Sequence, residues 1–216
     1  LSDEKGASSG MNLVHHALGS FGTNVYVLAD DETKEAMIID PGADCDRLTE
    51  DIDQAGLTLK YIVVTHGHGD HVGAVSTVKD RLDGQFVAHR GDADQIANPS
   101  PWIVEMMPGF VDPPEIDVYI NDGDVLKLGD LDVLAIHTPG HTPGSTCYLH
   151  EDVVFTGDTL FYGTIGRYDL PGGDGELEVA SIKSRLLTLP PETRVMPGHG
   201  PQTTIEQEAR INPHLS

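Results

Sequence analysis

Tyr61-Ile-Val-Val-Thr65-His66-Gly67-His68-Gly69-Asp70-His71 joins a strand pattern directly to a cluster of metal-ligand side chains. The first half is a short β-branched run with polar neighbours, the pattern of a strand buried on both faces. The second half holds three imidazoles and one carboxylate within six residues. Neutral imidazole and carboxylate suit zinc, iron and manganese, and the lack of thiolates argues against a structural zinc knot. Four such groups so close together are costly to bury without a cation among them. The interposed Gly67 and Gly69 are expected to let the backbone bend sharply.

Upstream, Asn24-Val-Tyr-Val-Leu-Ala29 and Ala36-Met-Ile-Ile39 read as strands joined by a turn at Asp30-Asp-Glu-Thr33, and Asp40-Pro-Gly42 stops the second. Leu48, Ile52 and Ala55 recur at helical spacing, with Gly56 where that helix would end. Downstream, a helix is expected to carry Val72, Val75 and Val78 toward Leu82, and Phe86-Val-Ala-His89 is another strand. Residues 125–128, 131–136, 146–149 and 153–156 form a run of strands punctuated by Gly and Asp. A helix over 176–187, a strand over 194–196 and a short helix capped by Thr203 or Thr204 complete the pattern. Alternating strands and helices predict one α/β layered domain over residues 11–216, with the polar residues 1–10 a flexible tail.

Three later segments repeat the form of the first, a β-rich run followed by a tight Gly-bearing turn with a ligand-type residue. They are Thr138-Pro-Gly-His141-Thr-Pro-Gly-Ser145, Phe155-Thr-Gly-Asp158-Thr-Leu-Phe161 and Met196-Pro-Gly-His199-Gly-Pro201. Loops at one rim of a layered sheet structure can converge on a single cleft, so together these segments supply what a dinuclear site needs.

The segments Thr65-His-Gly-His-Gly-Asp-His71, Gly140-His-Thr-Pro-Gly-Ser145, Thr156-Gly-Asp-Thr-Leu-Phe161 and Gly198-His-Gly200 resemble the metallo-β-lactamase superfamily, in its short glyoxalase II-like (hydroxyacylglutathione hydrolase-like) branch. The resemblance covers nearly the whole chain from Met11 onward. It implies an αββα four-layer sandwich with two divalent metal ions at one edge. Carried over residue by residue, it implies His66, His68 and His141 on the first ion, Asp70, His71 and His199 on the second, and Asp158 bridging the two. Zinc is the expected metal; iron and manganese suit the same donors. An aspartate at 158, where many antibiotic-degrading members have a cysteine or another residue, looks more like the thioester hydrolases. Longer glyoxalase II enzymes continue into a helical domain, whereas seventeen residues follow His199 here.

Two ions bridged by a carboxylate would sit about 3.5–4 Å apart and share a water ionising near neutral pH. The resemblance therefore implies a metal-dependent hydrolase that cleaves a thioester such as a hydroxyacyl-glutathione by attack of a metal-bridging hydroxide. A thiolate, with a pKa of about 8.5, leaves with little acid help. Asp70 is the expected catalytic residue, orienting the nucleophile as well as binding metal. Arg167 stands where glyoxalase II-like enzymes present a basic residue to substrate, and with Tyr168 it is the expected substrate-binding pair. A salt bridge from Arg167 to Asp169 or Asp174 is the structural alternative. Persulfide dioxygenases share these motifs but use one iron on residues matching His66, His141 and Asp158. β-Lactamase activity, main or promiscuous, is the other alternative. Trp102, Met106 and Phe110 are expected in helix packing or a dimer contact rather than at a cleft mouth. Of the remaining histidines only His89 is placed near the cleft; the others are expected to be structural.

Thirteen Lys and Arg against 35 Asp and Glu give a net charge of −22. A surface this acidic repels phosphate backbones, so nucleic acid is not an expected partner. No stretch is apolar and long enough to span a bilayer, so neither is a membrane. Cys45 and Cys147 form no metal-type pair and no disulfide framework, which favours a reducing, cytoplasmic setting. Two divalent ions would outweigh the carboxylates of Asp70 and Asp158, so a small anionic thioester is the expected partner despite the acidic surface.

Overall fold

The structure, a computed structural model, describes residues 10–216; apart from Gly10, the expected tail lies outside the described residues. Among these, two six-stranded sheets face each other. In the first sheet β1 (Met11–Leu18), β2 (Thr23–Asp30), β3 (Glu35–Ile39), β4 (Thr58–Val63), β5 (Gln85–His89) and β6 (Val118–Ile120) are neighbours in chain order. β1 to β3 are antiparallel and joined by tight turns; from β3 to β6 the pairing is parallel. Parallel neighbours need crossovers. These are α1 (Asp46–Gln54), then α2 (Gly69–Val72) with α3 (Val75–Leu82), then α4 (Ala93–Ala97) with α5 (Pro101–Met106).

The second sheet contains β7 (Val125–Leu128), β8 (Leu131–His137), β9 (Thr146–His150) and β10 (Val153–Gly157) as an antiparallel meander. The chain then makes a small hairpin, β11 (Leu160–Phe161) and β12 (Thr164–Ile165), and crosses over through α6 (Gly175–Ser181). It returns as β13 (Arg194–Pro197) parallel to β10, pairs with β14 (Thr203–Thr204), and ends in α7 (Ile205–Ile211).

Strand alternation explains the layers. Along β2 and β3, Val25, Val27, Ala36 and Ile38 point to one face, where they pack with Leu48, Ile52, Val75 and Val78 from α1 and α3. The alternate residues Tyr26, Leu28, Met37 and Ile39 point inward against Val133, Ala135, Tyr148, Val153 and Phe155 of the second sheet. The outer face of that sheet, with Cys147, Val154 and Val195, is covered by Ile182, Leu186 and Ile205. Helix, sheet, sheet, helix is the four-layer sandwich the motifs implied. Each fully buried side chain such as Ile38 or Phe155 contributes about 1.5–3 kcal/mol.

Several local expectations are refined. The helix expected through Val72 and Val78 is broken at Gly73, where a Cβ would lie 2.7 Å from both Gly42 O and the Phe110 ring. The helix expected over 176–187 widens after Ser181 into a π turn. Thr204 is the cap of α7, its hydroxyl accepting from Gln207 N–H, while Thr203 donates to Glu208. β6, β11 and β12 are too short to leave a periodic signal. Among the described residues no helix is long and apolar enough to cross a membrane.

Candidate metal centre

Four loops leave the carboxyl ends of β4, β8, β10 and β13 at one edge of the sandwich and bring all seven expected ligands together. His66 Nε2, His68 Nδ1 and His141 Nε2 form one group, with 3.0 Å between the first two and 2.9 Å between the last two. Asp70 Oδ2, His71 Nε2 and His199 Nε2 form a second, with His199 Nε2 at 3.2 Å from Asp70 and 3.3 Å from His71. Asp158 lies between them and divides its oxygens. Oδ2 is 3.7 Å from His141 Nε2, whereas Oδ1 is 3.3 Å from His71 Nε2 and 3.6 Å from His199 Nε2. Ligands about 2.1 Å from a tetrahedral centre lie about 3.4 Å from one another, so these spacings suit an ion inside each group.

Buried polar partners turn the imidazoles toward that space. His66 Nδ1 is 3.1 Å from Thr65 Oγ1, and that hydroxyl already donates to Asp40 Oδ2; His66 Nδ1 must therefore be the donor, which leaves Nε2 bare. His141 Nδ1 donates to Arg167 O at 2.7 Å, with the same result. His71 Nδ1 lies 2.9 Å from Asp40 Oδ2, a charge contact without hydrogen-bond alignment. Such outer partners fix ring orientation and tautomer. Two bare Nε2 atoms then point at His68 Nδ1, which carries at most one proton. Asp158 Oδ1 is buried with no hydrogen-bond partner. Converging lone pairs and an unpartnered carboxylate oxygen fit divalent cations.

The charge states differ between the two groups. Against burial, the neighbouring carboxylates, Asp158 first, raise His71 well above the usual histidine range, and Asp70 and Asp158 raise His199, so both carry protons that a bound ion would displace. Burial holds His66 well below the usual histidine range, with the neighbouring imidazoles adding to it, and brings His68 down to about 4. Both stand neutral, as ligands must. Burial would raise Asp158, but the adjacent His71 outweighs it and the carboxyl is held far below its ordinary range.

Glycines serve these loops by giving space. Neither Gly67 nor Gly69 has a positive φ; the expected sharp bend is replaced by close packing, for a Cβ on Gly69 would meet Ile103 at 2.6 Å. A Cβ on Gly198 would lie 2.3 Å from Asp158 Oδ1, so only glycine lets the His199 loop approach the bridging carboxylate.

Three positioning residues escaped the sequence reading. Asp40, read as a strand stop, accepts from both Thr65 N–H and its hydroxyl and faces His71. Asp92 is buried and accepts from Gly67 N–H, Thr142 Oγ1–H and Gly144 N–H, tying the first ligand loop to the second. Asn24 grips the fourth, donating through Nδ2 to Pro197 O and Gly200 O, while Tyr26 also donates to Pro197 O. Each lies more than 20 residues from the loop it holds, beyond any local pattern.

The centre opens into a cleft of about 710 Å³. Arg167 lines it, but its guanidinium makes a bidentate pair with Asp169 at 2.8 and 2.9 Å. Tyr168 is not among the lining residues; its ring packs beside Gly175. Trp102 does line the cleft, Phe110 packs on Gly69 and Gly73, and Met106 is exposed, so the expected shared role in packing divides three ways. His89 stacks on His137 at 4.1 Å and belongs neither to the cleft lining nor to the metal groups.

Glu178, on α6 behind the His141 loop, is fully buried with both carboxyl oxygens unpartnered. Burial, aided by the charge of Asp158, pushes its pKa up to about 8 from 4.5. A raised acid binds its proton more tightly in the folded state, so its stabilising influence is greatest below pH 4.5 and declines as pH rises toward 8. Glu178→Leu is expected to remove that decline. Urea unfolding should find the variant gaining about 2 kcal/mol on the parent between pH 5 and 8, after allowance for water reaching the group. An unchanged difference at the two pH values would contradict this.

Residues 18–199 match the model of the metallo-beta-lactamase superfamily. The chain belongs to that superfamily. Among metallo-beta-lactamase relatives, hydroxyacylglutathione hydrolase GloC of Haemophilus influenzae is 38% identical over 95% of this chain and 99% of its own. The crystal structure of the BLEG-1 B3 metallo-beta-lactamase is 38% identical, with a TM-score of 0.87 over 94% of this chain and 99% of that one. TTHA1623, solved in a di-iron-bound form, is 37% identical, with a TM-score of 0.83 over 93% and 98%. The chain is accordingly a metallo-hydrolase of the metallo-beta-lactamase fold, with a His and Asp cluster suited to a dinuclear centre.

Proposed function

We propose that this metallo-hydrolase cleaves thioesters, adding water to yield a carboxylate and a thiol. The observation that carries the reading is Asp158, whose two oxygens face separate ligand groups, together with the similarity to the Haemophilus influenzae hydroxyacylglutathione hydrolase. His66, His68 and His141 would hold one divalent ion, Asp70, His71 and His199 the other, and Asp158 both. Ions held there supply a water that ionises near neutral pH and positive charge to polarise a carbonyl.

The chain's own residues do the rest. His66 and His71 are buried and close the back of the site to bulk water, while His68, Asp70, His141, Asp158 and His199 reach the cleft. Asp70 combines a cleft position with contact to His199, so its carboxylate is placed to orient the attacking water through a hydrogen bond. The thiolate departs with the bonding electron pair of the broken C–S bond and takes its proton from solvent. Zinc is the proposed metal, with iron and manganese compatible with the same donors.

Elemental analysis of the purified protein alongside an S-lactoylglutathione assay tests this. Two metals per chain and metal-dependent thiol release are expected. Less than one metal per chain after growth in metal-replete medium would overturn the dinuclear reading. A persulfide dioxygenase with a single iron shares these motifs and is the alternative reading; one iron per chain with oxygen consumption on glutathione persulfide would favour it. The likeness to a B3 metallo-beta-lactamase favours β-lactam opening as a second activity. Chromogenic cephalosporin turnover near the thioester rate would reverse the ranking.

A further inference from the structure

Beyond the metal ligands, the cleft is poor in positive charge and rich in apolar surface. Its charged lining residues there are Asp94 and Arg167. Arg167 is already held in the bidentate pair with Asp169, so a substrate carboxylate could only exchange for one already present and leave Asp169 nearby to repel it. The pair contributes no net charge and Asp94 contributes a negative one, so away from the reacting carbonyl, where the charge of bound ions acts, the lining gives a distant carboxylate no partner. A glutathione thioester, with two carboxylates and one ammonium, finds no free cation among these lining groups.

What the cleft does offer is an aromatic mouth. Phe21, in the β1–β2 turn, and Trp102, on α5, meet edge to face at 6.4 Å from opposite sides of the sequence. Trp102 is 45% exposed although large aromatic side chains usually gain by burial, so covering it is a source of binding energy. Ile103, Pro143, Leu170 and Pro171 continue the apolar wall. Gln95 and Ser100 add uncharged hydrogen-bonding groups suited to an amide, while Asn98 donates through Nδ2 to Asp94.

We infer that the cleft selects thioesters that are uncharged and carry an apolar, aromatic-sized group seated against Phe21 and Trp102, in preference to the charged glutathione carrier. The inference rests on the thioesterase reading for the bond that reacts and on the cleft lining for the remainder of the substrate. It replaces the expected carboxylate contact of Arg167 with apolar burial as the source of specificity.

Trp102 is the single tryptophan of the chain and so reports on the cleft without any reaction. Its fluorescence in the metal-replete protein can be titrated with two unreactive thioethers, S-benzyl N-acetylcysteamine and S-benzylglutathione, which share the aromatic group and differ in charge. The uncharged thioether is expected to bind at least about tenfold more tightly, and Phe21→Ala to weaken it about tenfold with the melting temperature unchanged. The phenylacetyl thioester of N-acetylcysteamine is correspondingly expected to exceed that of glutathione about tenfold in kcat/KM. Equal binding of the two thioethers, or tighter binding of the glutathione form, would overturn the inference whatever the activity. Tighter binding of the uncharged form with neither thioester hydrolysed would instead overturn the thioesterase reading and leave the cleft preference supported.

Discussion

Asp158→Ala is expected to lower the bound metal from two ions per chain to one or fewer and to reduce thioester kcat/KM by about 10³-fold or more, equivalent to about 4 kcal/mol of transition-state stabilisation. The size follows from position. Among the described residues, Asp158 turns one oxygen toward each ligand group, Oδ1 toward His71 and His199 and Oδ2 toward His141. Its removal deprives both ions of a ligand and takes one negative charge from between two cations. Asp158→Asn keeps the shape but gives only one oxygen and no charge, so most of the loss should persist. Elemental analysis and steady-state kinetics on the two variants check this, with melting of the chelated proteins as a control for folding. Metal content unchanged in both would mean that Asp158 does not bridge.

The second large effect is on stability and arises outside the ligand set. Asp92→Ala leaves Gly67 N–H, Thr142 Oγ1–H and Gly144 N–H without their buried acceptor. Each lost partner costs about 1–3 kcal/mol, offset in part because Thr142 retains Ser145 and water can enter the cavity left behind. A net destabilisation of about 3–5 kcal/mol is therefore expected in urea unfolding. Asp92→Asn, which keeps one acceptor oxygen, should lose about half as much. Because the same carboxylate joins the loop of His66 and His68 to the loop of His141, metal affinity should fall with stability. A loss under about 1 kcal/mol for the alanine variant would show that the loops are held by other means.

Much of the architecture was legible along the chain because it is written in local periodicities. Val25 to Ala29 and Ala36 to Ile39 are apolar without interruption, so both strands read as buried, while which residues face the helices and which the second sheet came only from the packing. The seven ligands were legible for a different reason: imidazoles and carboxylates concentrated in Gly-rich turns after β runs are expensive to bury without a cation. Short elements such as β6 and β11 were not legible, since two or three residues cannot express a period. The role of Gly67 and Gly69 was misassigned to backbone bending because crowding by Asp92 and Ile103 comes from residues distant in sequence.

By itself, then, the sequence determined an α/β layered domain, the seven candidate ligands and the acidic balance, which depend on residue type and near-neighbour spacing. The four-layer sandwich and the division of ligands between two ions came through the family resemblance. Only the tertiary structure decided that Asp158 divides its oxygens between two groups, that Asp40, Asp92 and Asn24 hold the ligand loops, and that Arg167 is engaged by Asp169 while Phe21 meets Trp102 across the cleft. The physical reason is that hydrogen bonds and ion pairs depend on distances of about 3 Å between atoms, and residues tens of positions apart reach that separation only when both sheets have packed.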